Sequence, residues 1–243
     1  MTNALHLDLK VSTILYLDMD KVRTSNNLIK RQVIHDAVLA SPPSRQVLDA
    51  GCGCGGDLKK WQHAGVRCLD MFDPDQDSLR EAESRALSIG MKPKFFLGDI
   101  NSCPHKKYDI ICFNFSLHYI YESATTFFKS INGIQRRLKI GGQLVGCIPD
   151  SESMLEYTPF KDELGNMFLR KDESGYGEFG EKLFVKLADT PFYKDGMRTE
   201  PICYKDMLIS HLEKKGMILK VWERFPVEHK IQQFYSRFKF VKH

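Results

Sequence analysis

The chain of 243 residues lacks any apolar run approaching the roughly 20 residues that a membrane-spanning helix needs. Its early stretch from Val11 to Met19 gives way to Asp20 and Lys21 with no small-residue cleavage site, so neither a signal peptide nor a membrane association is expected. Paired CxxC spacing is missing as well. The seven cysteines are odd in number and scattered, and Cys52 and Cys54 are too few and too closely set among glycines for a zinc site. No metal is therefore expected, and a reducing intracellular compartment, cytoplasmic or nuclear, fits best. Internal repeats, low-complexity tracts and long Gly/Ser linkers are also absent, so residues 1–243 read as one domain. Neither sign of charge dominates. A net charge of +4 favours anionic partners such as nucleotides or RNA without demanding one.

What is present is an alternation. A helix is expected over Asn27–Ala40, stopping before Pro42-Pro43. Short β-type runs follow at Gln46–Asp49, Arg67–Phe72, Lys94–Leu97, Tyr108–Phe113 and Gln143–Ile148, with helical stretches at Gly56–His63, Asp75–Ser88 and Ser123–Leu138. This order predicts an α/β fold with a mainly parallel sheet covered by helices on both faces. Beyond Pro149 the pattern loosens as far as Pro201, as expected of a hairpin or insertion. A helix at Tyr204–Lys215, a strand at Met217–Phe225, a short turn or helix near Glu228–Gln233 and a strand at Tyr235–Val241 complete the pattern, the last two strands forming an antiparallel edge pair.

The most informative segment is Val47-Leu48-Asp49-Ala50-Gly51-Cys52-Gly53-Cys54-Gly55-Gly56. An apolar strand runs into a glycine turn whose backbone can approach a nucleotide-like ligand where any side chain would block it. Gly51, Gly53 and Gly56 also satisfy G-x-G-x-x-G, which leaves a dinucleotide site open. Asp49 stands two residues before the first glycine, where a carboxylate can orient a cationic amino-acid group. Asp73, closing the next strand, can accept both hydroxyls of a ribose. The sequence Val-Leu-Asp-x-Gly-x-Gly resembles the first motif of class I, Rossmann-like methyltransferases, which implies S-adenosylmethionine as cofactor and a seven-stranded sheet. In such enzymes an acid at the place of Asp99 bonds the adenine amino group, and the strand matching Tyr108–Asn114 ends beside the methyl donor.

Further segments give a closer resemblance, to the messenger-RNA cap guanine-N7 methyltransferases. In Arg23-Thr-Ser-Asn26-Asn27-Leu-Ile-Lys30 the resemblance sets the asparagine pair near the cap and Lys30 on the cofactor's carboxylate. Gly55-Gly56-Asp57-Leu58-Lys59-Lys60-Trp61 is similar to the family's Gly-Gly-Asp-Leu-x-Lys-Trp and implies Lys60 facing the cap phosphates. Asn114-Phe115-Ser116-Leu117-His118-Tyr119 implies Asn114, Phe115 and Tyr119 on the cofactor, with His118 and Tyr119 holding guanine. Phe234-Tyr235-Ser-Arg-Phe238-Lys-Phe240 implies Tyr235 in the cap pocket.

Two departures stand out. Cys54 occupies a place where the family commonly has Lys, and the family's Leu-Glu-x-x-x-Asp-x-Pro segment aligns its guanine-reading Glu with Val185, leaving Glu181 or Glu178 as nearby substitutes.

The resemblance implies methyl transfer to N7 of the terminal guanosine of capped mRNA, with a cap-binding insertion around 150–200 and residues that position rather than exchange protons. Capped RNA is the expected partner, with other capping-enzyme domains as further candidates and a monomer as the working unit. The chain shows no nucleotidyltransferase Lys-x-Asp-Gly motif, so a stand-alone enzyme and the carboxyl-terminal part of a larger capping protein, as in large DNA viruses, are both expected forms. The rival readings are a class I methyltransferase for another RNA or a small molecule, which Val185 favours, a nicotinamide-dependent oxidoreductase, and a non-catalytic stimulatory module.

Overall fold

Seven strands form one twisted sheet whose order fixes where a ligand can enter. The computed structural model describes residues 2–170, 179–187 and 196–243, with side chains from residue 21 onward. Helix α1 covers Thr2–Leu39, followed by β1 (Gln46–Ala50), α2 (Leu58–His63), β2 (Cys68–Asp73), α3 (Gln76–Ser88), β3 (Lys94–Leu97), β4 (Tyr108–Asn114), α4 (Ala124–Arg137) and β5 (Leu138–Pro149). After α5 (Ser151–Glu156) come four short strands, β6 (Phe160–Lys161), β7 (Met167–Arg170), β8 (Lys182–Lys186) and β9 (Arg198–Pro201), then α6 (Lys205–Glu213), β10 (Met217–Arg224) and β11 (Tyr235–Lys242). No helix among the described residues is long and apolar enough to cross a membrane.

The main sheet runs β10-β11-β5-β4-β1-β2-β3. Strands β1 to β5 pair in parallel, and β11 lies antiparallel between β5 and β10. This is the expected class I, Rossmann-like arrangement, including the antiparallel late strands. From β1 the chain winds outward through β2 and β3, then returns to build β4 and β5 on the other side. The order therefore reverses between β1 and β4, and a crevice opens at their carboxyl ends, the usual ligand position in such sheets. Both strands are buried almost throughout, which is why their sequences read as apolar runs without alternation.

Local chemistry sets the helix ends. The Asp75 side chain accepts the backbone N–H of Ser78 at the start of α3, and Ser123 accepts that of Thr126 at the start of α4. Two expectations need correction and a third becomes more specific. Helix α1 starts at Thr2 instead of Asn27, which puts the asparagine pair in a helix interior and removes any capping role. Helix α4 ends at Arg137, because Leu138 already pairs with Tyr108 as part of a longer β5. The loose segment is more than a hairpin: β6 to β9 form a four-stranded antiparallel sheet in sequential order. Phe168, Leu183 and Val185 on one face of this small sheet are buried in the same core as Val47, Phe234 and Tyr235, so it is anchored beside the crevice.

Strands β4 and β5 approach closely at Gly146, where a Cβ would stand 1.8 Å from the carbonyl oxygen of Phe113. Gly146→Ala should therefore cost about 4 kcal/mol or more, as read by denaturant unfolding; a loss under about 1 kcal/mol would show that the pair can part locally.

Candidate functional site

The glycine turn after β1 forms the floor of the crevice. Gly51 has φ +65, and a Cβ there would lie 2.5 Å from Cβ of Ser116. Both the conformation and the close approach call for glycine. Ser116 holds the contact by donating its hydroxyl to the carbonyl of Ala50 at 2.6 Å. Across the turn, Asp73 accepts the backbone N–H of Gly53 at 2.7 Å and that of Asp75 at 3.0 Å. Each oxygen keeps a further lone pair for a ligand hydroxyl. Burial nevertheless raises the Asp73 carboxyl above its ordinary range, against these two backbone bonds.

A buried charge cluster stands behind the floor. Asp57 Oδ1 receives Nζ of Lys60 at 2.7 Å and Nζ of Lys30 at 2.9 Å, while its Oδ2 accepts the side-chain amide of Asn114 at 2.8 Å. Burial alone would raise the Asp57 carboxyl, but the two ammonium groups outweigh it and hold the group well below the usual carboxylate range. Burial likewise opposes the charge on Lys30, yet Asp57 raises it on balance, whereas for Lys60 burial prevails and lowers it. Asp49 lies beside this cluster and accepts the indole N–H of Trp61 at 2.9 Å. Burial and the negative charge of Asp57 push the Asp49 carboxyl up to about 7. Asn114 spends its amide N–H on Asp57, and its Oδ1 is buried with no hydrogen-bond partner. A buried acceptor left unpaired is costly unless something donates to it.

The opposite wall is aromatic. His118 and Tyr119 pack with ring centroids 4.2 Å apart, on a short 3-10 helix covering Leu117–Glu122. The His118 side chain is 3% exposed, neither ring nitrogen makes a hydrogen bond, and Nε2 lies 3.4 Å from Glu200 Oε2. Tyr119 is partly exposed at the mouth, its hydroxyl raised by burial and by Glu200. Phe115 has φ +60, rare for a bulky residue, and its ring packs on Tyr235 at 5.1 Å and on Phe225 at 6.1 Å. Such a backbone costs about 1–3 kcal/mol and persists where its surroundings impose it. Asn26 on α1 accepts the side-chain amide of Gln232 at 3.1 Å, which ties the asparagine face to the turn before Tyr235.

The structure thus gathers Lys30, Asp49, Gly51, Gly53, Asp73, Asn114 and Phe115 around the floor, with His118, Tyr119 and Tyr235 on the aromatic side. Asp99, at the end of β3, caps a 3-10 turn through the backbone N–H of Asn101 at 2.7 Å and pairs with Lys129 at 3.3 Å. Lys60 is turned inward, its Nζ taken by Asp57 and by the Gly56 carbonyl at 3.0 Å, and does not reach toward the crevice mouth. Glu181 accepts the hydroxyl of Tyr204, and Glu178 lies outside the described residues. Val185 is fully buried in the core.

Sequence reasoning missed two residues. Asp57, read only as part of a motif, is the hub of the cluster. Glu200 is the carboxylate that stands against His118. The register pairs it with Leu183, diagonal to Val185, so an acid stands on the strand beside the one where the resemblance sought it. Its signal in the sequence was an acid directly before the apolar run Pro201-Ile202-Cys203, since a buried acid is seldom placed without a partner.

Removing the hub would strand one buried and one half-buried cation. Asp57→Ala should destabilise the fold by roughly 3–5 kcal/mol in equilibrium unfolding, and a loss under about 1 kcal/mol would mean that Lys30 and Lys60 find other partners.

Residues 10–194 match the family described as the mRNA (guanine-N(7))-methyltransferase domain. Among relatives, the mRNA cap guanine-N(7) methyltransferase of Caenorhabditis briggsae is 31% identical over 168 residues, covering 61% of this chain and 42% of the relative. The Schizosaccharomyces pombe protein of the same name is 30% identical over 161 residues, covering 60% of this chain and 45% of the relative. The chain thus spans under half the length of these curated relatives. Among solved structures, an S-adenosylmethionine-dependent methyltransferase from Clostridium acetobutylicum superposes with a TM-score of 0.62 at 16% identity, covering 92% of this chain and 98% of that one. That likeness concerns the fold alone. With residues 10–194 matched, the chain belongs to the mRNA (guanine-N(7))-methyltransferase domain family.

Proposed function

We propose that the chain transfers a methyl group from S-adenosylmethionine to N7 of the terminal guanosine of capped mRNA. The observation that carries this reading is the convergence, on one crevice, of a zwitterion-binding cluster and a purine-sized aromatic wall with a carboxylate at its edge. The residues fit the cofactor. Two ammonium groups share the one carboxylate of Asp57, so Lys30 keeps donor capacity for a ligand carboxylate. The unpaired Oδ1 of Asn114 and the carboxylate of Asp49 suit a ligand ammonium. Asp73 takes the ribose hydroxyls, Gly51 and Gly53 admit the backbone approach, and Asp99 at the end of β3 takes the adenine amino group.

S-adenosylmethionine, when bound, supplies an electrophilic methyl on a sulfonium centre. Guanine N7 carries an in-plane lone pair and needs no proton removed, so no residue is assigned as a general base. The protein's task is orientation, which can be worth an effective molarity of about 10⁵ M or more. Tyr119 and His118 hold the purine plane, with Phe115 and Tyr235 beside them, and Asn26 and Asn27 face the cap from α1. Glu200 accepts N1–H and the exocyclic N2–H of guanine, a pattern that adenine does not offer. Glu200 takes the part expected of Glu181, and it removes the support that Val185 gave to a different acceptor. The sheet β6 to β9 then serves as the cap-binding insertion. Capped RNA is the partner, further capping-enzyme domains can extend the chain, and a monomer in the cytoplasm or nucleus suffices for this chemistry.

The reading is tested with labelled cofactor and RNA bearing an unmethylated guanosine cap. After nuclease digestion the label should appear in 7-methylguanosine; cofactor binding with no label in the cap would transfer the assignment to another acceptor. Glu200→Gln turns a paired acceptor into one acceptor and one donor, and should lower kcat/KM by about 100-fold; an unchanged value would remove Glu200 from guanine recognition. Cofactor binding should also depend on pH. Asp49 is protonated below about 7, and an ammonium ligand favours its charged form. Affinity by calorimetry should fall as pH drops below about 7, by up to about tenfold per unit; a flat profile between pH 5.5 and 8 would separate Asp49 from the ammonium.

A further inference from the structure

The cap carries a phosphate chain, and the residues expected to meet it are not available for that purpose. Cys54 brings no charge to the position where the resemblance implies Lys. Its thiol lies 3.7 Å from the Ser78 hydroxyl and is held neutral, its ionisation raised chiefly by burial. Lys60 is held by Asp57 and the Gly56 carbonyl, and Lys30, beside Asp57, is already assigned to the carboxylate of the cofactor. A site that holds a capped guanosine still needs a cation where the chain of phosphates leaves the nucleoside.

Strand β9 supplies one. Side chains two apart on a strand share a face, so Arg198 stands on the same face as Glu200 and about 6.6 Å further along the strand. The register sets these two residues opposite Val185 and Leu183, whose side chains are buried in the core beside the crevice. Glu200 thereby falls at His118, and Arg198, exposed, stands on the same face at the start of β9. Its guanidinium acts on groups from both walls. The Tyr119 hydroxyl, raised by burial and by Glu200, is drawn back by Arg198; Asp75 at the head of α3, lowered first by the hydrogen bond from Ser78, is lowered a little more by Arg198. Arg198 is thus near enough for its charge to reach Tyr119 on the aromatic wall and Asp75, two residues after Asp73.

We propose that Arg198 binds the 5′-5′ phosphate bridge of the capped end, so that one face of β9 reads the nucleotide at both ends, its base edge through Glu200 and its phosphates through Arg198. A planar guanidinium with a fork of N–H donors suits phosphate oxygens, and it remains charged at every working pH. This assignment rests on the reading of the crevice as a cap guanosine site.

The test compares two methyl acceptors, the cap dinucleotide GpppA and guanosine, in wild type, Arg198→Ala and Arg198→Lys. Arg198→Ala should lower the preference for GpppA over guanosine by about tenfold or more and flatten the dependence of kcat/KM for GpppA on salt by about one charge. Arg198→Lys should recover part of both. Lys186→Ala removes a cation from the opposite face of β8 and should keep the wild-type preference. If Arg198→Ala keeps the wild-type preference and salt slope while the wild type methylates GpppA at N7, the phosphate assignment falls and the cap reading stands. If the wild type itself methylates neither GpppA nor capped RNA at N7, both fall. Thermal unfolding of each variant separates these outcomes from misfolding, because Arg198→Lys keeps the charge at an exposed position whatever Arg198→Ala does.

Discussion

Two ammonium groups share one buried carboxylate, and the site is organised around that arrangement. Asp57 joins α1 through Lys30, α2 through Lys60 and β4 through Asn114, three elements that are distant in sequence. Charges so deeply placed are tolerated only when paired with good geometry, so the three elements cannot drift apart without stranding a cation in a poorly hydrated interior. Their common point lies at the carboxyl ends of β1 and β4, where the winding of the sheet reverses. The cluster is thus a clamp on the fold and, in the proposed reading, the end of the cofactor site.

On the other side of the crevice the constraint is shape. Gly51 yields its side-chain volume to Ser116, and the turn that results carries Phe115, His118 and Tyr119 toward the same opening. The late strand β11 closes the aromatic wall with Tyr235, and the small sheet adds Glu200 from β9. Charge thus lines one side of the crevice and aromatic shape the other, as the proposed methyl transfer to an already nucleophilic atom requires.

Much of the fold was legible because the main strands are buried on both faces and read as uninterrupted apolar runs, while Asp75 and Ser123 mark their helix starts. The glycine turn and Asp73 were legible because their chemistry is local. The rest depended on partners far away in sequence. Lys60 looks like a phosphate contact in its motif, but it turns inward because Asp57 lies one helical turn before it and is buried. Asp99 carries a capping duty that its place at a strand end already suggested. Val185 and Glu200 could be told apart only by the pairing of β8 with β9, since short strands in a loosely patterned segment carry no register of their own. The length of α1 escaped notice for a similar reason, because asparagine pairs read as helix ends and here lie within a helix.

Phe115 shows how the order of assembly follows from one backbone angle. Its left-handed conformation is held by contacts with Phe225 and Tyr235, which the ribosome adds more than a hundred residues later. The glycine turn and the strands around it can form early in synthesis, but the wall beside the acceptor cannot settle until that late segment has docked. A growing chain can accordingly join the glycine turn to Asp73 before the ring of Phe115 finds its packing partners.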